Sequence, residues 1–134
     1  MIDRCIEYIM IHTDIFNAIE KSTRNLLDAI KSGNVDSIEQ LTDNRDQVIK
    51  LSEEVYSRIE SFINNLPQEE LTKENIELIK AWSFDFSDQI NLIQKLDQEI
   101  IDSLNNEKQE ISKEIGEIYK LSQKFKGYNL NNLK

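Results

Sequence analysis

The one histidine and the one cysteine of this chain are the first residues to test for chemistry. Cys5 and His12 lie seven residues apart, so a helix would place them on one face but two turns from each other. That separation is too large for a thiolate–imidazole pair and poor for a shared metal ion. A Glu-x-x-His motif of di-iron bundles is absent, because Ile9 precedes His12 by three residues. We expect His12 to be a core or edge histidine.

The carboxylates and glycines form no catalytic or phosphate-binding pattern. The pairs at 53–54 and 69–70 are adjacent glutamates, which point to different sides of a helix and indicate solvated faces. The three glycines, at 33, 116 and 127, are isolated, so there is no glycine-rich phosphate loop. Asp97 falls on an apolar stripe, and we interpret it as a residue at a wet edge of a bundle. The sequence therefore predicts a protein that is not an enzyme, with no cofactor and no metal site.

Long amphipathic helices must position these residues. Apolar side chains recur at alternating steps of three and four, and only three glycines and one proline interrupt them. Gly33 is placed to end a helix in the left-handed conformation, and Pro67 ends the next one. The predicted fold is all-α, an elongated antiparallel bundle of a helical hairpin plus a long third helix in a single domain. We predict helices over about 2–32, 35–65 and 73–126, and a flexible tail over 129–134.

The helix caps and the third helix need separate predictions. We expect Asn34 or Asp36 to cap the second helix, Asp36 through a variant capping box, and Thr72 to cap the third. The third helix would span about 80 Å, against about 45 Å for each of the others. Possible breaks lie at 83–88 and 105–106. Because the apolar register continues through both, we predict a continuous helix.

Charge and hydropathy restrict the partners. The chain of 134 residues has a net charge of -9, with 25 acidic and 16 basic residues, which argues against a nucleic-acid surface. No stretch approaches the roughly 20 apolar residues of a membrane span, and charges interrupt the apolar N-terminus, unlike a signal peptide. A lone cysteine suits a reducing compartment. We expect a cytoplasmic protein that binds neither nucleic acid nor membrane.

The third helix carries a longer apolar stripe than two shorter helices can cover, and an uncovered stripe marks an interface. Its end, YKLSQKFKGYNLNNLK, has no acidic residue. Lysines in the last helical turns are explained by the helix macrodipole. The macrodipole does not explain Phe125, Tyr128 and Leu130, which extend the apolar edge beyond the point where the partner helices should end. A partner protein and a second copy of the chain would bury this stripe equally well.

Two stretches of the chain resemble flagellar export chaperones. LLDAIKSGNVDSIEQLTDNRDQVIKL (26–51) is similar to the first hairpin of that family, which has a Leu-Leu pair, a Gly-Asn turn and an arginine: Leu26–Leu27, Gly33–Asn34 and Arg45. LDQEIIDSLNNEKQEISKEIGEIYKLSQKFKGY (96–128) is similar to the last helix of the family, through Leu96–Asp97, Ile100, Leu104 and Tyr128. The resemblance is to the FliT type, the chaperone of the filament cap protein. The FlgN type, the chaperone of the hook–filament junction proteins, is the second choice.

This resemblance implies a cytoplasmic chaperone that binds the helical C-terminal segment of a filament cap protein, or another flagellar client. It would keep the client monomeric before type III export, with export-apparatus components as further partners. Partner binding is assigned to eight residues of the third helix: Leu104, Ile111, Ile115, Ile118, Leu121, Lys124, Phe125 and Tyr128. The alternative is a structural helical module that homodimerises through this helix. A small enzyme with a site around His12 ranks behind both.

Overall fold

The computed structural model describes residues 1–107, which contain three α-helices and one short 3-10 helix. No strand occurs in this part of the chain, so the all-α helical prediction is confirmed. The predicted ends of the first two helices, at 32 and 65, each lie one residue beyond the observed ends. The elements are α1 (Ile2–Lys31), α2 (Val35–Asn64), the 3-10 helix (Gln68–Glu70) and α3 (Lys73–Glu107).

A glycine turn joins α1 to α2. Gly33 has a φ of 73°, the left-handed conformation that side chains with a Cβ adopt only at a cost. Its amide donates to the carbonyl of Ile30 at 3.2 Å, and the Asn34 amide donates to the carbonyl of Ala29 at 2.9 Å. These two bonds form a Schellman motif, which satisfies carbonyls at the end of α1. Gly33 therefore ends the helix as the sequence predicts.

The starts of the two later helices use different caps. Asn34 is the N-cap residue of α2, but its side chain makes no capping hydrogen bond. Asp36 lies within the first turn of α2, so the capping-box prediction for Asp36 is wrong. The Schellman turn sets the start of α2 two residues earlier than that box requires. In α3, the Asn75 amide donates to Thr72 Oγ1 at 3.2 Å, so the Thr72 cap is confirmed.

The third helix is continuous as far as it is described. α3 runs through both candidate breaks, 83–88 and 105–106, without interruption. Neither stretch contains Gly or Pro, and the buried side chains of Phe86 and Ile90 hold the helix in the core around the first of them. The predicted remainder of this helix, to residue 126, and the tail over 129–134 lie outside the described residues.

The three helices run up, down and up along the bundle. Contacts between α1 and α3 join residue numbers that rise together, from His12 with Trp82 to Asn17 with Gln89, so these two helices are parallel. α1 packs closely along both α2 and α3, whereas the backbones of α2 and α3 approach each other at few points within residues 1–107. α1 is thus the central helix of the helical bundle.

Two apolar clusters fill the space between the helices. The aromatic core lies toward the start of α1 and comprises Cys5, Ile9, Ile15, Phe16, Ile19, Ile49, Val55, Ile59, Phe86, Ile90 and Ile93. The leucine core lies toward the α1–α2 turn and comprises Leu26, Leu27, Ala29, Ile30, Ile38, Leu96, Ile100, Ile101 and Leu104. Arg45, Asp97 and Thr23 are also buried, and they lie between these two clusters along the helices.

Candidate functional site

The residues predicted to bind a partner fall into two groups. Leu104 is 1% exposed and belongs to the leucine core. A partner would reach its side chain only if this part of α3 moved away from α1. The other seven lie outside the described residues, and their assignment stays a prediction: Ile111, Ile115, Ile118, Leu121, Lys124, Phe125 and Tyr128.

A buried ion pair joins α2 to α3. Arg45 Nη2 donates to both carboxylate oxygens of Asp97, at 2.7 and 2.8 Å. Arg45 Nε donates to Thr23 Oγ1 at 2.9 Å, and that hydroxyl donates to the carbonyl of Ile19 at 2.7 Å. Arg45 is 0% exposed and Asp97 is 8% exposed. The three side chains therefore connect all three helices through hydrogen bonds that water hardly reaches.

The interpretation of Asp97 as a wet edge residue is wrong. Its carboxylate is buried, and the guanidinium of Arg45 on the facing helix compensates its charge. Burial raises the pKa of the Asp97 carboxyl, while the charge and hydrogen bond of Arg45 oppose that shift. The sequence did contain a signal for the pair. Arg45 and Asp97 interrupt two apolar stripes with opposite charges, and two stripes that face each other can bring such residues together.

The histidine lies inside a group of aromatic rings. His12 is 1% exposed, and its Nδ1 accepts a hydrogen bond from Trp82 Nε1 at 3.1 Å. The imidazole stacks on Phe16 with ring centroids 4.7 Å apart and meets the edge of Phe86 at 4.6 Å. Because Nδ1 accepts, the neutral ring carries its proton on Nε2, which has no hydrogen-bond partner among the described residues. His12 is a core histidine, as expected.

Burial also determines how His12 titrates. Removal of the imidazole from water disfavours its charged form, which lowers the pKa of His12 to about 4. The ring is therefore neutral at physiological pH. Trp82, which fixes its orientation, was not among the residues singled out in the sequence. The spacing of Trp82 and Phe86, one helical turn apart, is the signal that could have placed both against His12.

We expect His12 to make the stability of the protein depend on pH. In the unfolded chain the imidazole takes up a proton near pH 6.5, but in the folded protein only near pH 4. As the pH falls through this window the unfolded state binds more protons, so the free energy of unfolding decreases, by about 3 kcal/mol at pH 4. Urea unfolding at pH 7 and pH 4 measures this loss in the wild type.

The matched variant for this measurement is His12→Phe, which keeps a ring in the aromatic core. The loss of stability between pH 7 and pH 4 should be smaller in the variant by about 3 kcal/mol. All other titrating groups are common to the two proteins. An identical pH dependence in both would show that His12 is not responsible.

The remaining reactive side chains of the described helices do not converge. Cys5 is a free, buried thiol, and burial raises its pKa, which disfavours the nucleophilic thiolate. Among residues 1–107, no group of three or more His, Cys, Asp and Glu side chains is arranged to hold a metal ion. None of the helices described is long and apolar enough to cross a membrane.

Exposed apolar side chains complete the description of the surface. Phe84 is 74% exposed, more than any other large apolar residue of the described chain, and Met10 follows at 63%. Leu51, on α2, is 48% exposed.

A scan against models of protein families found no match, and comparisons with curated proteins and with solved structures found none either.

Proposed function

We propose that this protein is a cytoplasmic flagellar export chaperone of the FliT type. It would bind the helical C-terminal segment of a filament cap protein and keep that segment from self-association before type III export. Binding of this kind requires an apolar helical surface and no catalytic group. The proposal rests on the resemblance of residues 26–51 and 96–128 to that family, together with the way the fold joins these stretches.

The observation that carries the proposal is the composition of the leucine core. All nine of its buried residues come from the two stretches that resemble the chaperone family. The ion pair between Arg45 and Asp97 joins the same two stretches, and Gly33 forms the turn that the resemblance implies. Arg45 and Asp97 belong to different stretches and are 52 positions apart in the chain. The two stretches nevertheless pack as one unit. This packing supports the proposal, because the two stretches that resemble the family form one structural unit.

The client surface is proposed on the third helix beyond Leu104. The sequence there continues the apolar spacing through Ile111, Ile115, Ile118 and Leu121. An amphipathic helix presents such a stripe to a partner helix as anchors at steps of three and four. The described core already occupies Leu104, so the outer residues of the stripe are the ones assigned to the client.

Calorimetric titration tests this proposal directly. The C-terminal segment of the filament cap protein from the same organism is titrated into the full chain and into a truncation that ends at Asn106. We expect saturable 1:1 binding to the full chain and weaker or no binding to the truncation. Circular dichroism on the truncation must first show that α1–α3 remain folded. No binding to the full chain, with a stable dimer by light scattering, would favour the homodimeric module instead.

Phe125→Ala gives the sharper result for a single residue. If Phe125 anchors the client, its truncation should weaken client binding by about 2 kcal/mol or more, roughly 30-fold. The free energy of unfolding should change by less than about 1 kcal/mol, because the side chain would not belong to the permanent core. Leu51→Ala, on the exposed side of α2, is the control and should leave the affinity unchanged. A stability loss of about 3–5 kcal/mol with normal binding would place Phe125 in the core.

A further inference from the structure

The first segment of α3, residues 73–85, packs with fewer buried side chains than the rest of the helix. None of its residues is buried, and the apolar side chains that are partly buried against the aromatic core are Ile79 and Trp82. From Phe86 onward, by contrast, each turn of the described helix contributes a buried side chain. Helices in proteins are stabilised mainly by the packing of an apolar face. We therefore expect the first segment to be the part of α3 that detaches most readily.

A hydrogen bond between side chains joins this segment to α1. Trp82 Nε1 donates to His12 Nδ1 at 3.1 Å, and His12 is 1% exposed. The indole N–H group can only donate, whereas a protonated imidazole donates from both of its nitrogens. The bond therefore exists only while His12 is neutral. Protonation of His12 would bring two donors together in a site that water hardly reaches.

The rings around His12 offer no charge that would compensate an imidazolium. They come from all three helices: Phe16 on α1, Tyr56 on α2, and Trp82 and Phe86 on α3. Tyr56 alone among them can titrate, and burial, together with the charge of Glu60, raises the pKa of its phenol. The phenol is therefore neutral in acid. His12 forms no ion pair with another residue of the described chain, so a proton on His12 disfavours the docked arrangement.

We propose that the bond between His12 and Trp82 is a proton-sensitive switch, and that protonation of His12 detaches the first segment of α3 from α1 while the rest of α3 stays docked. Detachment brings the imidazole into contact with water, where its charged form is stable. Phe86 and the leucine core hold the remainder of the helix. The switch lies outside the stripe beyond Leu104, and the proposal does not depend on the chaperone function or on the identity of a client.

The linkage between proton binding and detachment sets the size of the effect. Burial lowers the pKa of His12 to about 4 in the docked form, whereas an imidazole in water has a pKa near 6.5. The detached form therefore binds the proton more tightly, and acid shifts the population toward it. Between pH 7 and pH 5 the ratio of detached to docked segment should rise about 20-fold.

Hydrogen exchange of the backbone amides, measured by NMR on the full chain and corrected for the intrinsic exchange rate at each pH, tests the switch. At pH 7 the amides of residues 77–85 should open at least about 10-fold more often than those of residues 90–104 of the same helix. At pH 5 the opening of 77–85 should increase about 20-fold. His12→Phe keeps a ring but cannot titrate, so it should abolish this increase. Trp82→Phe removes the donor and should raise the opening about 5-fold at pH 7.

Three results would overturn the proposal. Equal protection of the two parts of α3 at pH 7 would show that the helix opens as one unit. Opening of 77–85 that is the same at pH 7 and pH 5 would show that the segment frays without exposing His12. An unchanged pH dependence in His12→Phe would assign the effect to other titrating groups. The wild type alone decides the first two results, so they remain decisive even if a variant fails to fold.

Discussion

Replacement of Asp97 by alanine should destabilise the protein by about 3–5 kcal/mol. The substitution would leave the guanidinium of Arg45 fully buried and without the two hydrogen bonds, at 2.7 and 2.8 Å, that now compensate its charge. A buried charge that loses its counter-ion is far less favourable than the same charge in water. Urea unfolding at neutral pH, followed by circular dichroism, measures the change. Arg45→Ala should have a comparable effect, because it strands the carboxylate and opens a cavity.

The double variant Arg45→Met/Asp97→Leu separates the contribution of the pair from the penalty of breaking it. Two apolar side chains of similar size carry no charge into the core, and such replacements are often neutral or stabilising. We expect the double variant to be more stable than Asp97→Ala by at least about 3 kcal/mol. If Asp97→Ala and the double variant lose the same amount of stability, the loss in Asp97→Ala does not come from an uncompensated buried charge. The role of the pair would then be to select one alignment of the helices.

The second large effect is expected at Phe86, where alanine should reduce the free energy of unfolding by about 3–5 kcal/mol. Phe86 is 6% exposed and its ring contacts four others, those of His12, Phe16, Tyr56 and Trp82. Its removal would lose the burial of the ring and leave a cavity where α1 and α3 meet. Chemical unfolding together with the emission of the single tryptophan, Trp82, would report both the stability and the local rearrangement.

Phe84→Ala is the matched control for Phe86→Ala. The two positions carry the same residue type, lie two residues apart in α3, and differ in exposure, 74% against 6%. Phe84→Ala should change the free energy of unfolding by less than about 0.5 kcal/mol, as for most surface substitutions. A similar loss at both positions would contradict the outward direction of Phe84.

The sequence was sufficient for the local parts of the fold. Helix ends depend on a few residues with strong conformational preferences, and Gly33 and Thr72 act at the ends they were predicted to occupy. The continuity of α3 through 83–88 follows from the same local rules, because that stretch lacks Gly and Pro. The failed prediction at Asp36 shows the limit of local rules. The start of α2 is set by the turn before it rather than by the best capping sequence.

Non-local information was needed for the polar interior. Whether Asp97 is wet or buried depends on the residue that faces it from α2, which is 52 positions away. His12 was predicted as a core or edge residue from its place on the apolar stripe, but its partner Trp82 is 70 positions away. The direction of Phe84 likewise depends on which side of α3 meets α1. Helical spacing predicts which residues share a face and not which faces meet.

The parallel arrangement of α1 and α3 has a consequence for the order of folding. The hydrogen bonds that join these helices connect residues 70 and 72 positions apart, whereas α1 and α2 are joined by a short turn. The entropy lost on closing a loop grows with its length, and chains with distant contacts fold more slowly. We expect the α1–α2 hairpin to form first and α3 to dock last. Substitutions between α1 and α2 should then slow folding, and those that loosen α3 should mainly accelerate unfolding.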